Sequence, residues 1–149
     1  MKFFKNITIF TLGLLYIIIG IKHFTETNFF IPIVPPFISF KKEVVLISGL
    51  LEIILGLFLL FKKTRRVSAY GIIILLIAVF PANIYLFTSE TPRITLGITQ
   101  EQALIRMPFQ IPLILIAFWH SSESHSKFFS LICSVLFLPT IIYFLLLAT

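Results

Sequence analysis

The sequence predicts an all-α fold: a polytopic membrane protein in which residues 1–149 form a single bundle of transmembrane helices. Hydrophobic residues make up 58% of the chain and charged residues only 12%, whereas soluble domains carry about 25% charged residues. The apolar residues fall into five runs, each close to the roughly 20 residues that span a bilayer as a helix. The predicted helices cover about residues 6–22, 44–61, 68–87, 101–119 and 128–148.

The first predicted helix follows two lysines, at positions 2 and 5, and ends before Lys22 and His23. A secretory signal peptide would be followed by a small-residue cleavage site. No such site follows this run, so we expect the helix to be retained. His23 falls on the same side of the helix as Tyr16.

Residues 25–43 are predicted to form an interfacial loop on the outer face, lying on the bilayer or folded over the helix ends. Its segment FFIPIVPPF is too apolar for a free loop and too rich in proline for a helix. Four phenylalanines suit the membrane interface and two lysines would anchor the segment there; they are Phe29, Phe30, Phe37, Phe40, Lys41 and Lys42.

The second helix carries one carboxylate, Glu52, near its midpoint. An ionisable group at that depth costs roughly 2.5–3.5 kcal/mol on the insertion scale, so it must face protein or water rather than lipid. Ser48, Gly49 and Gly56 lie on its side of the helix, where small residues let another helix approach. This helix therefore supplies the polar focus of the predicted bundle.

The first and second helices share a short pattern. The segment GLLYIIIG at residues 13–20 matches GLLEIILG at residues 49–56, and Tyr16 corresponds to Glu52. Chance is the alternative explanation, because apolar segments use few residue types. Both helices are nevertheless expected to present a polar residue between two glycines.

The basic residues predict the topology. The run Lys62-Lys63-Thr64-Arg65-Arg66 holds four cations and no acid; a phosphate site is conceivable, but a cytoplasmic loop is favoured by the positive-inside rule. With a cytoplasmic N-terminus, seven basic residues face inward: Lys2, Lys5, Lys62, Lys63, Arg65, Arg66 and Lys127. Five face outward: Lys22, Lys41, Lys42, Arg93 and Arg106. The loops thus account for the net charge of +6, and no nucleic-acid partner is expected.

Prolines are expected to interrupt or kink the later helices. Pro81 lies inside the third run, and Pro108 and Pro112 lie inside the fourth, where each removes a backbone donor. Residues 88–97 between these runs are polar and are predicted to be irregular. Thr99 and Gln102 then predict a capping box at the start of the fourth helix.

The end of the fourth helix and the chain beyond it indicate no catalytic chemistry. Trp119 is expected in the aromatic belt at the inner interface. His120 and His125 in the loop that follows are a weak alternative for a metal site and are expected to be solvated, so no metal is predicted. A single cysteine, Cys133, excludes an internal disulfide and a CxxC pair. The fifth helix is expected only to pack.

Six polar residues are expected to converge in the outer half of the bundle, beside the predicted kinks at Pro81 and Pro108. Glu52 is expected to form a hydrogen bond with Gln110, Asn83 or Tyr16. The alternative is a structural network that selects one helix arrangement. The six are Tyr16, His23, Glu52, Asn83, Arg106 and Gln110.

A succession of short motifs over about residues 4–119 resembles the DoxX-like family of small bacterial membrane proteins. These are His23-Phe24, Val34-Pro35-Pro36, Ser48-Gly49, Glu52, Gly56, Arg66, Ala69, Gly71, Phe80-Pro81-Ala82-Asn83, Arg106, Pro108 and Gln110. The resemblance implies a four-helix core in the bacterial inner membrane, to which this chain adds a fifth C-terminal helix. It also implies an association with quinol-oxidising or oxidative-stress enzymes, although many family members have no assigned activity.

Three kinds of function stay open. The first is a redox-linked accessory subunit that holds a quinone, or another lipophilic molecule, near Glu52 and works with a redox-enzyme partner. The second is a non-catalytic scaffold or assembly partner, and the third is a proton-coupled small transporter. The chain has no cysteine pair, no intramembrane histidine pair for haem and no glycine-rich nucleotide loop. An autonomous redox enzyme is therefore not expected; a homo-oligomer is left open.

Overall fold

The computed structural model describes residues 2–148, with all of their side chains except those of Lys2, Leu145, Leu147 and Ala148. Lys2, which counts toward the predicted topology, is thus outside the described side chains. Over the described residues the elements are α1 (Lys2–Thr25), α2 (Thr27–Phe30), a 3₁₀ turn (Ile31–Ile33), α3 (Lys41–Leu60), α4 (Arg65–Thr88), α5 (Glu90–Leu96), α6 (Gln100–His120) and α7 (Lys127–Ala148).

Five of the described helices, α1, α3, α4, α6 and α7, are long and apolar enough to cross a membrane. This confirms the all-α fold class and fits a multi-pass membrane protein. Large apolar side chains cover the outside of the bundle, such as Ile74 at 67% and Leu131 at 59% exposure. Soluble monomers rarely expose apolar surface so widely, whereas lipid tails are a good solvent for it.

Each long helix packs against the next one along the chain, and α7 also contacts α1. Buried apolar side chains from all five long helices meet in the middle of the bundle, among them Leu12, Leu59, Ile72, Ile116 and Phe137. Because α3 runs antiparallel to α1, the connections between helices lie at both ends of the bundle. The two ends differ in content: one carries His23 and the segment 25–43, the other carries Lys5 and His120.

Glycines set the close contact between α1 and α3. A methyl group added to Gly56 would lie 2.7 Å from the carbonyl oxygen of Gly13, and one added to Gly20 would lie 2.6 Å from the carbonyl oxygen of Gly49. Only residues without a Cβ admit this approach. The two matching segments of the sequence are therefore the surfaces through which these two helices meet.

The turn between α3 and α4 holds one cation of the run against the end of α3, whereas its predicted cytoplasmic location stays a prediction. Arg65 begins α4 and is only 8% exposed. Its Nε donates to the carbonyl oxygen of Leu59 at 3.1 Å, and Thr64 Oγ1 donates to that of Phe58 at 2.7 Å. A helix leaves its last four carbonyls without intrahelical donors, so one cation of the run turns inward to satisfy them while Arg66 stays exposed.

Two other connections are more helical than expected. Residues 25–43 contain α2 and the 3₁₀ turn, and residues 88–97 contain α5 rather than an irregular segment. Pro92 falls in the first turn of α5, where a missing N–H is tolerated, and Gly97 closes the helix with φ 64°. The capping box is confirmed, since Thr99 Oγ1 accepts from Gln102 N at 3.2 Å and Gln102 Oε1 accepts from Thr99 N at 2.8 Å.

Trp119 and His120 are buried, contrary to the prediction for both. Trp119 is 1% exposed, and its Nε1 donates to Ser130 Oγ at 3.1 Å. His120 Nε2 lies 3.0 Å from Thr8 Oγ1. Both side chains are covered because α1 and α7 pack over the end of α6, so neither forms an interfacial belt or a solvated loop.

Candidate functional site

A cavity of about 450 Å³ lies at the end of the bundle that carries His23. Its walls come from α1, α3, α4 and α6, from residues of the segment 30–38, and from Phe144 of α7. All six predicted polar residues line this one cavity: Tyr16, His23, Glu52, Asn83, Arg106 and Gln110. Four helices therefore bring them together, as the sequence predicts; what they do there stays a prediction.

The partner of Glu52 is His23, which corrects the expectation that Glu52 bonds to Gln110, Asn83 or Tyr16. Glu52 Oε2 lies 3.2 Å from His23 Nδ1. The same nitrogen lies 3.0 Å from the carbonyl oxygen of Ile19, which can only accept. Nδ1 must therefore carry a hydrogen, and that hydrogen is already directed at the backbone. Oε2 is buried and has no hydrogen bond of good geometry among the described residues.

Two residues hold the His23 ring in place. Phe30, in α2, stacks on it with ring centroids 3.9 Å apart and an interplanar angle of 18°. On α3, Gly49 leaves the room that the His23 Cβ and ring need, because a methyl group there would collide with them. The apolar segment after α1 thus folds over the helix ends, as predicted, and orients a cavity residue.

Arg106 and Gln110 come from one face of α6. Gln110 is 5% exposed, and its Nε2 donates to the carbonyl oxygen of Leu76 at 3.4 Å. In a regular helix the N–H of residue 81 would donate to the carbonyl oxygen of Ile77, but Pro81 has no N–H. Gln110 bonds to the carbonyl oxygen just before that one. Arg106 is half-buried, and its Nε has no hydrogen-bond partner among the described residues. No described carboxylate forms an ion pair with Arg106.

The three prolines that were expected to kink the helices differ in whether they line the cavity. Pro81 lies in the cavity wall, inside α4, which continues from Arg65 to Thr88 rather than being interrupted. Pro108 and Pro112 lie inside the equally continuous α6 and are not among the lining residues. Pro108 is exposed on the outside of the bundle. Only one of the three thus shapes the cavity directly.

The remaining polar candidates do not form a site. Among the described residues, no group of three His, Cys, Asp or Glu side chains could hold a metal ion. His120 is bonded to Thr8, and His125 is half-buried beside Phe118 and Phe129. Burial lowers the pKa of His125 below its ordinary value, so this side chain adds no charge to the loop at neutral pH.

Sequence reasoning missed the aromatic and C-terminal parts of the site. Phe30 is one of many phenylalanines, and nothing in its position marks it as the residue that stacks on His23. Phe144 belongs to the fifth helix, for which only packing was expected, yet it lines the cavity. Apart from the six polar residues the lining is almost entirely apolar. A mostly apolar cavity with a few convergent polar groups suits a lipophilic ligand with a polar head.

These features are those of a helical membrane protein with a mostly apolar cavity near one end of its bundle, into which a few polar side chains converge. A family model described as a domain of unknown function, DUF8561, matches residues 12–121. The chain belongs to the DUF8561 family. The match covers every residue that lines the cavity except Phe144. No curated protein and no solved structure matches the chain.

Proposed function

We propose that the protein binds a quinone, or a lipophilic molecule of similar chemistry, in the cavity and serves as an accessory subunit to a redox enzyme of the same membrane. One observation carries this proposal: six polar side chains from four helices converge on a single cavity of about 450 Å³ whose remaining lining is almost entirely apolar. Structural polar groups in a bundle need only pair with each other. Here Arg106 has no such partner among the described residues.

The donor set of the cavity fits a ring that carries carbonyl oxygens. Such oxygens only accept hydrogen bonds, and Arg106 and Asn83 bring N–H donors to the cavity wall. On the other side, Glu52 and His23 form a pair of groups that can each hold a proton. A bound quinone would supply the redox chemistry. The role of the protein is to exclude water, orient the head group and keep a proton acceptor beside it.

The orientation and the wider family relationship are part of the same proposal. We propose that the chain is DoxX-like, lies in the bacterial inner membrane and has its N-terminus in the cytoplasm. Three exposed cations, Lys62, Lys63 and Arg66, lie at the turn after α3, which supports an inner position for that turn. The cavity would then lie in the outer half of the bilayer.

A scaffold without a ligand is the second candidate, and one observation favours it. Gln110 bonds α6 to the backbone of α4, and His23 contacts Glu52 between α1 and α3. Both interactions join neighbouring helices, as structural polar contacts in membrane bundles do. The two candidates differ in ligand binding: an accessory subunit should bind an added quinone in the cavity, whereas a scaffold should not.

Calorimetric titration of the purified protein with a short-chain benzoquinone tests the proposal. We expect saturable binding that Arg106→Ala weakens by roughly tenfold or more, because hydrogen bonds from charged donors contribute about 1.5–3 kcal/mol. Arg66→Ala is the matched control, since Arg66 is exposed and lies away from the cavity. Binding that does not saturate, or that is equal in wild type, Arg106→Ala and Gln110→Ala, would contradict quinone binding and support the scaffold.

A further inference from the structure

The cavity reaches the outside of the bundle at α4. Two of the α4 residues that line it, Ala78 and Pro81, are also exposed. They lie on one side of the helix with Ile74 and Ile77, because residues three and four apart share a helical face. Both isoleucines are exposed and lie outside the cavity lining. The cavity wall and the outward apolar face of α4 therefore meet at Ala78 and Pro81.

The other side of this opening is formed by α3. Near the turn that joins the two helices they are in contact: Ser68 Oγ donates to the carbonyl oxygen of Leu55, and Gly71 packs against the Leu55 side chain. About two helical turns further from that contact, Ser48 of α3 and Ala78 of α4 both line the cavity. The two helices thus touch at one end and have the cavity between them at the other. We call the gap bordered by Ser48 and Ala78 the lateral opening.

The segment 30–38 covers the cavity at the helix ends. Val34 is 7% exposed and Pro35 is buried, and both line the cavity. The 3₁₀ turn before them contacts α3, α4 and α5, and Phe37 forms the exposed edge of the cover. The lateral opening, by contrast, lies within the lengths of α3 and α4 that can cross a membrane. The cavity therefore opens at a depth where hydrocarbon chains surround the protein.

The residues that border the lateral opening offer it no free donor. Ala78 has no polar side-chain atom, and Ser48 Oγ already donates to the carbonyl oxygen of Val45 at 2.9 Å. Arg106 and Gln110, in contrast, reach the cavity from α6, which does not border the opening. A molecule with a polar head and an apolar tail fits this arrangement, with its head towards α6 and its tail in the opening.

We propose that the ligand is an amphiphile of the bilayer whose head group lies in the cavity and whose hydrocarbon tail leaves sideways through the lateral opening. This inference rests on the proposed function and narrows it to ligands with a long chain, such as a quinone that carries an alkyl or isoprenoid tail. The cavity, at about 450 Å³, is in the lower half of the roughly 300–1,000 Å³ range of small-molecule pockets. It holds a head group, and a long chain has to extend beyond it.

Two probes with one head group separate head binding from tail binding: tetramethylbenzoquinone and its analogue in which a decyl chain replaces one methyl group. Each is titrated into the protein in lipid nanodiscs, with empty nanodiscs as the correction for partition into lipid. Ala78→Trp places a bulky ring in the lateral opening. We expect it to weaken binding of the decyl probe roughly tenfold or more, the effect of overpacking a contact, and to change binding of the methyl probe by less than about twofold. Ile77→Trp is the matched control and should change neither, because Ile77 is exposed but does not line the cavity.

A diazirine at the end of the decyl chain locates the tail in the wild-type protein, without any substitution. We expect the label that excess decyl probe competes away to map to peptides of α3 and α4. Competed label on other helices alone would overturn this inference. So would equal losses of both probes in Ala78→Trp, undiminished decyl binding by that variant, or a wild type that binds the methyl probe but not the decyl probe. In each of these cases quinone binding itself would stand. Absence of saturable binding of either probe by the wild type would overturn the proposed function and this inference with it.

Discussion

Gly20 and Gly49 face each other where α1 crosses α3, with no room between their backbones for a side chain. A methyl group on Gly20 would lie 2.6 Å from the Gly49 carbonyl oxygen and 2.8 Å from Ile53 Cγ1. Backbone atoms cannot move aside as the end of a flexible side chain can. The contact therefore holds the two helices that carry His23 and Glu52 at a fixed separation.

Gly20→Ala should consequently destabilise the fold by about 1–3 kcal/mol, the usual cost of overpacking a closely packed contact. Thermal unfolding in detergent measures the effect. Gly71→Ala is the matched control, because a methyl group there would meet only the end of the Leu55 side chain, which can change rotamer. Equal stability of the two variants would show that the α1–α3 contact tolerates a Cβ.

The Glu52–His23 pair should respond asymmetrically to substitution. His23→Phe keeps a ring for the stack on Phe30 but removes the nitrogen that lies 3.2 Å from the buried Glu52 carboxyl group, so we expect a loss of about 1–3 kcal/mol. Glu52→Leu should cost nothing or stabilise, because His23 Nδ1 still donates to the Ile19 carbonyl oxygen and a buried carboxyl group without a well-formed hydrogen bond is removed. Adding Glu52→Leu to His23→Phe should restore stability.

Thermal melts of the three variants in detergent decide this, with Glu101→Leu as a control at an exposed position of α6. If Glu52→Leu and His23→Phe lower stability equally, the pair is a mutual structural contact. That result would support the scaffold as the function of the protein. A stable Glu52→Leu variant that no longer binds quinone would show that Glu52 serves the ligand rather than the fold.

Arg65 and Arg66 are adjacent and should differ sharply. Arg65→Met removes the donor to the Leu59 carbonyl oxygen, at 3.1 Å, and should lower the free energy of unfolding by roughly 1–3 kcal/mol. Arg66→Met changes an exposed side chain and should stay within about 0.5 kcal/mol. Chemical unfolding in mixed micelles compares them. A similar effect of both variants would mean that the run acts only through its total charge.

The proposed orientation can be tested by cysteine labelling in a Cys133→Ser background. Lys63 and Thr91 lie at exposed positions of the connections at the two ends of α4 and are suitable sites for a single cysteine. The neighbouring Thr64 is not suitable, because its hydroxyl donates to the carbonyl oxygen of Phe58 at the end of α3. With a cytoplasmic N-terminus, an impermeant maleimide should label Thr91→Cys in intact cells and Lys63→Cys only after permeabilisation. The opposite pattern would reverse the topology.

The five long helices and the six polar residues of the cavity were predictable because both depend on short-range patterns. Apolar runs of membrane-spanning length leave few alternatives. A carboxylate at the centre of such a run must face inward, and that requirement located the polar focus at Glu52. Helical spacing and the alternation of direction then placed His23, Asn83 and Arg106 at a similar depth.

The hydrogen-bond partners were not predictable, because they depend on how each helix is rotated. His23 reaches Glu52 only because Gly49 leaves room and Phe30 stacks on its other face. The burial of Trp119 likewise depends on α7, whose apolar sequence gives no sign of which side it covers. One cation in the run of four turns inward at Arg65, and a charge pattern alone does not say which.

The glycine contacts between α1 and α3 make these two helices equivalent where they meet. Gly56 meets Gly13 and Ile17 at nearly the same distances at which Gly20 meets Gly49 and Ile53, so the contact regions of the two antiparallel helices are related by an approximate two-fold axis perpendicular to the helices. That axis maps Tyr16 onto Glu52. The backbones of such a pair are alike from either end, so the two ends of the bundle are distinguished by the parts that break the symmetry, such as the capped turn at Arg65. Tyr16 and Glu52 therefore occupy equivalent positions on the two helices, and both line the cavity.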